Sequence, residues 1–400
     1  MSNNHRNNGV YRHKSNSNRY SHSRNRGRGY SVKKNTISID KLIAKAIDSE
    51  PMNMFVDDYE YSQFQITKVL KSNAYSKGYS HPTKIQYKAI PEILNGRDIL
   101  GVATTGSGKT AAFLIPLIDK VVRDDSNRVL IVVPTRELAM QIQDEFRSLS
   151  RNTGVRSVLI MGGNSINTQI SILKSNPQFI IATPGRLKDL TKREVINLST
   201  INNVVLDEVD RMLDMGFIED IRFIIAKLNR DRQSLFFSAT VNRKTEEVAN
   251  TLLHNPVRIE IETQGPGKNV DQDVVRLEKG QSKFDVLLGL LESDSLDKVL
   301  IFTSTKWGAD KLCKSLQLKD VYIESLHGGK RQNKRSRIIE RFKNGKIDVL
   351  VATDVASRGL DVDNISHVIN YDMPQCYDDY IHRIGRTGRA GKKGFALTFV

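Results

Sequence analysis

Two short stretches hold residues whose types and spacing suit them to chemistry: "ATTGSGKT" at 103–110 and "NVVLDEVDR" at 203–211. In the first, Gly106 and Gly108 let the backbone curl so that successive N–H groups face a phosphate. The loop opens a helix whose positive end adds to that field. Lys109 can reach the β- and γ-phosphates, and the Thr110 hydroxyl can ligate Mg²⁺. In the second stretch an apolar run ends in Asp207 and Glu208, with Asp210 close behind. A buried strand that finishes in carboxylates needs a cation at its end. In a sheet with a phosphate loop after one strand, the carboxyl end of a nearby strand lies beside the phosphates. Asp207 is therefore expected to hold Mg²⁺ through water, since Mg²⁺ keeps several of its waters. Glu208 is expected to orient and deprotonate the attacking water. This is a nucleoside triphosphatase without a stated task.

A third stretch narrows the task. "YIHRIGRTGR" (380–389) sets Arg383, Arg386 and Arg389 at three-residue steps. Hydrolysis needs positive charge on the γ-phosphoryl oxygens in the transition state, and an arginine delivered from elsewhere can supply it. Arginines on a separate domain do so only when two domains close. Coupling such closure to hydrolysis is the work of a machine that grips a polyanion.

The elements that must position these residues are legible as a pattern. "DILGVA" (98–103), "RVLIVVP" (128–134), "VRSVLIMG" (155–162), "QFIIATP" (178–184), "NVVLDE" (203–208) and "SLFFSAT" (234–240) read as strands separated by amphipathic helices. Near-continuous Val/Ile/Leu runs of this kind mean a parallel sheet buried on both faces. "TQGPGKNVDQD" (263–273) then reads as a linker, and a second set follows: "KVLIFT", "VYIESLH", "IDVLVAT", "HVINYD" and "GFALTFV". The expected organisation is a tail (1–39), an N-terminal flank (40–88), a first α/β domain (89–262), the linker, and a second α/β domain (274–400). The sequence stops on a strand, so the helices covering the second domain's end are expected to lie outside it.

The chain of 400 residues is 39% hydrophobic and 26% charged, and no apolar run reaches membrane-spanning length. Cys313 and Cys376 have no metal-ligand companions, which points to a reduced interior without disulfides. Of the net charge of +16, nine positive charges fall within residues 1–39, which hold no Asp or Glu. This Asn-, Ser-, Arg- and Tyr-rich tail has no apolar periodicity and is expected to be disordered; such a segment can hold phosphates loosely and stack bases on tyrosines, and the alternative is a solubilising tail with no specific partner.

Together these residues resemble the DEAD-box RNA helicases of superfamily two, over about Tyr61 to Val400. The resemblance implies two tandem RecA-like parallel-sheet domains, ATP with Mg²⁺, and RNA as partner. "GYSHPTKIQ" (78–86) is similar to the family's adenine-reading segment, with Gln86 as the reading amide and Tyr61 as the upstream aromatic where Phe is usual. The phosphate loop is Ala103, Thr104, Thr105, Gly106, Ser107, Gly108, Lys109 and Thr110, with Ala103 where the strict pattern has Gly. Pro134, Thr135, Arg136, Gly163, Thr183, Pro184, Gly185 and Arg186 resemble the first domain's RNA contacts. Gly328, Gln332, Arg335, Thr353 and Arg358 resemble those of the second. Asp361 is implied to meet the ATP ribose, and Arg383, Arg386 and Arg389 to face the nucleotide. Ser238, Thr240, Asp210 and His382 are implied to couple ATP state to RNA strain. The acidic box departs from the family in Val209, where Ala is usual; the expectation is a packing variant on a strand end.

Thr, Gly and Arg in loops with few aromatics suit phosphate and 2′-hydroxyl contacts, hence binding to single-stranded RNA without sequence preference. Two alternatives stand beside local duplex unwinding: an ATP-gated RNA clamp with slow turnover, and a DNA translocase of the same superfamily. A monomer is expected, inside the cell in cytoplasm or nucleus, or in a virion or host cytoplasm if the source is viral. The biological RNA and protein partners are not legible.

Overall fold

The continuous apolar runs become strands with both faces covered. In the computed structural model, residues 37–400 are described except 47–53, 105, 262–268, 293–295, 320, 358–361, 363 and 389–391. The first sheet has seven strands: β1 (Ile99–Val102), β2 (Val129–Val132), β3 (Ser157–Ile160), β4 (Phe179–Ala182), β5 (Asn203–Leu206), β6 (Gln233–Ser238) and β7 (Val257–Glu260). Their order is β3-β4-β2-β5-β6-β1-β7 and every pairing is parallel. Along β2, Val129 and Ile131 join one core while Leu130 and Val132 join the other. That alternation is why no polar residue interrupts the run.

The second sheet holds β8 (Val270–Val275), β9 (Val299–Phe302), β10 (Ile323–Leu326), β11 (Val349–Ala352), β12 (His367–Asn370) and β13 (Gly394–Phe399). Its order is β10-β11-β9-β12-β13-β8, again parallel throughout. Leu300 and Phe302 of β9 face one core and Val299 and Ile301 the other. Both sheets are thus RecA-like in construction.

Two boundaries differ from expectation. The linker expected at 263–273 is shorter, because its last four residues begin β8; residues 263–268 lie outside the described set. The acidic box leaves the sheet early: β5 ends at Leu206, and Val209 opens the helix Val209–Asp214 rather than ending a strand. The flank touches both domains. Its Ile39–Leu42 turn buries Leu42 completely against Val270, Tyr380, Ile384 and Ala396. Ala44 then pairs antiparallel with Gln272 on β8, and the Ala46 N–H donates to Asp271 Oδ1 at 2.7 Å. Phe55 pairs with Thr83 at the adenine-reading segment of the first domain. The basic tail, apart from residues 37–39, lies outside the described residues.

Candidate nucleotide and RNA site

The carboxyl ends of β1 and β5 bring the two chemical stretches together, as parallel strands one apart in a sheet must. After β1 the loop turns at Gly106 (φ 87°) and Gly108 (φ 93°), left-handed values that glycine adopts without strain. The helix Lys109–Arg123 follows with no side-chain cap on its first N–H groups. Lys109 is buried, and its Nζ donates to the Ala103 carbonyl at 2.6 Å. Ser107 Oγ is buried with no hydrogen-bond partner among the described residues. An uncapped helix end, a curled glycine backbone and an orphaned hydroxyl together fit a phosphate chain. Thr105 lies outside the described residues; Thr104 accepts the Ser107 N–H at 3.3 Å.

Gln86 sits on the third residue of the helix Lys84–Leu94, reaching back over the loop. Its Nε2 donates to Gly108 O at 3.1 Å, and its Oε1 accepts the Thr83 N–H at 2.8 Å and the Tyr61 hydroxyl at 2.6 Å. A Cβ on Gly108 would stand 2.6 Å from Gln86 Nε2, so a larger residue there would collide with the amide.

Asp207 and Glu208 are buried side by side. Burial pushes the Asp207 carboxyl up to about 6; Lys109 opposes this, and Glu208 and Asp210 add to it. Such a carboxylate gains by meeting a cation. One buried aspartate plus the Thr110 hydroxyl suits Mg²⁺, which takes few protein ligands and keeps its waters. Glu208 caps the helix Val209–Asp214 in the left-handed region (φ 53°, ψ 50°), a conformation that costs a non-glycine residue of order 1 kcal/mol. Burial acts to raise its carboxyl, but Arg211, Lys109 and Arg386 outweigh that and hold it below the usual value. Arg211 makes a buried ion pair with it. Arg211 stands three residues after Glu208, neighbour spacing on a helix that reading the box as a strand end conceals.

Asp210 faces away, toward β6. Its Oδ2 accepts the N–H groups of Ala239 (3.1 Å) and Thr240 (2.9 Å) and the Thr240 hydroxyl (3.0 Å). Ser238 Oγ closes the cluster by donating to Thr240 O at 2.7 Å. The acidic box and the "SAT" stretch are therefore tied together by hydrogen bonds.

The arginine element divides. Arg383, expected to face the nucleotide, is instead an interior brace: 2% exposed, bidentate to Asp354 at 2.6 and 2.8 Å, and bonded to Asn370 Oδ1 and Asp372 O. It also lies over the Phe302 ring. These partners use four of its five donors and hold the guanidinium in the interior. Arg386 lies past the end of the helix Tyr377–Ile384, with its Nε donating to His382 O at 3.3 Å, and its charge reaches Glu208. Arg389, Asp361 and Arg358 lie outside the described residues.

At the carboxyl end of β2, beside β5 on the same sheet edge, Pro134 and Thr135 lead into the helix Arg136–Leu149, and Thr135 Oγ1 caps it by accepting the Leu138 N–H at 3.3 Å. The Arg136 guanidinium lies against Gly162 and Gly163, where a Cβ would stand 2.9 and 2.4 Å from it. Half-burial lowers the Arg136 pKa; Glu137 opposes that, while Arg335 and Arg186 add to it. Thr183 and Pro184 open the helix Pro184–Lys192, Gly185 faces open space, and Arg186 donates to Asn164 O at 3.3 Å. In the second domain Gly328 lies beside Lys306, and Thr353 is buried after β11. Gln332 and Arg335, expected on the RNA path, are both buried and both reach Glu137 Oε1 of the first domain at 2.9 Å. Glu137, absent from the expected site residues, is thus the acceptor that joins the two domains.

A family model described as DEAD/DEAH box helicase matches residues 83–248, and one described as helicase conserved C-terminal domain matches residues 282–391. The ATP-dependent RNA helicase CshA of Listeria monocytogenes is 42% identical over 343 residues, covering 85% of this chain and 66% of that protein. The DEAD-box ATP-dependent RNA helicase RhpA of Helicobacter pylori is 45% identical over 335 residues, covering 83% of this chain and 67% of that protein. The chain therefore spans about two thirds of the length of these curated relatives. Among solved structures, S. cerevisiae Dbp5 bound to RNA and ADP BeF3 superposes with a TM-score of 0.75 at 32% identity, covering 85% of this chain and 89% of that one.

Proposed function

This chain belongs to the DEAD/DEAH-box helicase family, and from that premise we propose that it is an ATP-dependent RNA helicase, binding single-stranded RNA without sequence preference and opening short duplexes as its domains close. The observation that carries the reading is the approach of the two domains, in which Gln332 and Arg335 of the second reach Glu137 of the first at 2.9 Å and the Arg386 charge acts on Glu208. A hydrolytic centre completed only by a second domain ties turnover to closure. The Dbp5 structure, bound to RNA and ADP BeF3, supports the same pair of ligands here.

Lys109 and the uncapped helix end take the phosphates. Bound Mg²⁺ would offset their charge from a place beside Asp207 and Thr110. Glu208 orients the attacking water and accepts its proton, and Arg386 offsets charge on the γ-phosphoryl oxygens. Asp210, tied to Ala239 and Thr240, carries any shift at the strand end into the "SAT" turn. Arg136, Arg186, Gly163 and Gly185 offer charge and bare backbone to an RNA strand, which suits phosphate and sugar contacts. Val209 is a packing variant: it is fully buried behind the carboxylates with Leu206, Met212 and Phe236. The active species is a monomer.

One observation favours the slower, clamp-like variant of this activity. The Arg211 ion pair and the neighbouring cations hold Glu208 below its usual pKa, and a weaker base removes a water proton less readily. The deciding variant is Glu208→Gln. It should keep ATP binding, lose about 10²- to 10⁴-fold in turnover and hold RNA. If it releases RNA as fast as the parent, Glu208 is not the base. Turnover measured with RNA, with DNA and with neither separates an RNA helicase from a DNA translocase.

A further inference from the structure

We infer that the Tyr61 hydroxyl sets the nucleotide choice of this protein: by filling an acceptor position on Gln86 it leaves base reading to the amide nitrogen, giving a site that demands a purine N7 and tolerates guanine beside adenine. The inference rests on the proposed ATP reading of the site and deepens it.

An amide oxygen has two lone pairs and an amide nitrogen two hydrogens. Gln86 Oε1 already accepts two bonds, from the Tyr61 hydroxyl at 2.6 Å and the Thr83 N–H at 2.8 Å. Gln86 Nε2 spends one hydrogen on Gly108 O at 3.1 Å, and its second has no partner among the described residues. The amide cannot flip, because a flip would set Nε2 against the Thr83 N–H and Oε1 against the Gly108 carbonyl.

Adenine offers an N7 acceptor and an N6 donor on this edge; guanine offers N7 and O6, both acceptors. A glutamine that reads both adenine atoms must accept from N6. Here that acceptor is occupied, and what remains is one N–H, which satisfies N7 of either purine. With phenylalanine at position 61, one lone pair would be open for N6, and adenine would be favoured.

Tyr61 is held where it is. It is 3% exposed, its ring stacks on Tyr79 with centroids 5.6 Å apart, and Phe64 packs against it edge-on at 5.4 Å. If the hydroxyl released Gln86 it would leave a buried donor unpaired, which costs more than the bond it gives up. Tyr61 is a positioning residue: it acts on the base through Gln86.

The test compares equilibrium dissociation constants for ADP, GDP and 7-deaza-ADP, measured calorimetrically on the full chain and on Tyr61→Phe, a variant that keeps the ring and its stacking. The parent should bind ADP and GDP within about tenfold of each other and lose about three- to tenfold on 7-deaza-ADP. Tyr61→Phe should raise the GDP-to-ADP ratio by about three- to tenfold, the worth of one hydrogen bond. A purely structural role would weaken both diphosphates together and leave the ratio unchanged, which overturns the inference. So does a parent that already rejects GDP more than about hundredfold. If the parent binds neither diphosphate, the ATP reading itself fails, an outcome distinct from an unmoved ratio.

Discussion

The turn from β1 into the helix Lys109–Arg123 and the turn from β9 into the helix Lys306–Gln317 start from similar material and end differently. Each follows a parallel strand of a RecA-like sheet, and each delivers the chain to a helix N-terminus whose first N–H groups lack partners. After β9 the answer is internal: Thr305 caps the helix, its Oγ1 accepting the Gly308 N–H at 2.9 Å. Thr135 does the same after β2. After β1 no side chain caps the helix, Gly108 is left-handed, and Lys109 folds back onto Ala103 O. One helix end is finished by its own chain; the other is left for a ligand. On the proposed reading the second domain contributes charge from Arg386 in place of a phosphate loop, and one fold serves twice.

The strongest test of this asymmetry is at the arginines. Arg386→Ala should reduce RNA-stimulated turnover by about 10³-fold or more in a steady-state assay, without moving the thermal midpoint. Arg383→Ala should do the reverse. Removing it leaves Asp354 without its bidentate partner, a loss of about 3–5 kcal/mol read by denaturant unfolding of the second domain. If Arg383→Ala is stable and inactive, the interior brace is wrongly identified.

A smaller effect is expected behind the carboxylates. Val209→Ala removes two buried carbons and should destabilise the first domain by about 1–2 kcal/mol, with turnover at 25 °C within about threefold of the parent. A rise of more than tenfold, with faster RNA release, would make Val209 a brake on Glu208 instead of packing.

The smallest effect compares the two turns directly. Thr305→Ala should lose about 1 kcal/mol of stability in urea melts and leave ADP affinity alone. Ser107→Ala should leave stability within about 0.5 kcal/mol and weaken ADP, because its hydroxyl has no partner to lose among the described residues. An exchange of these two outcomes would erase the distinction between a finished and an open helix end.

Most of the fold was legible because central parallel strands are apolar on both faces. The two strands that escaped notice lie at sheet edges. β7 reads "VRIE" and β8 reads "VDQDVV", with charged or amide residues where one face meets solvent. The phosphate loop and acidic box were legible because their residues act within one local stretch. Glu137 and Arg211 were not, since Glu137 meets partners in the other domain and Arg211 stands at a helix spacing that reading the box as a strand end conceals. The three-residue arginine steps misled at Arg383. A repeat in sequence cannot tell which member the helix Tyr377–Ile384 turns inward and which falls beyond its end.

The flank fastened to β8 has a mechanical consequence. Ala46 is bonded to the second domain and Phe55 is paired with Thr83 in the first, while Met54 O accepts the Lys84 N–H. Eight residue steps separate Ala46 from Met54, and a fully extended chain covers about 28 Å over that length. While both attachments hold, those two points are therefore tethered to within that length. The domains can part only to that reach, and any wider swing must first peel Ala44 from Gln272 and draw Leu42 from beneath Tyr380.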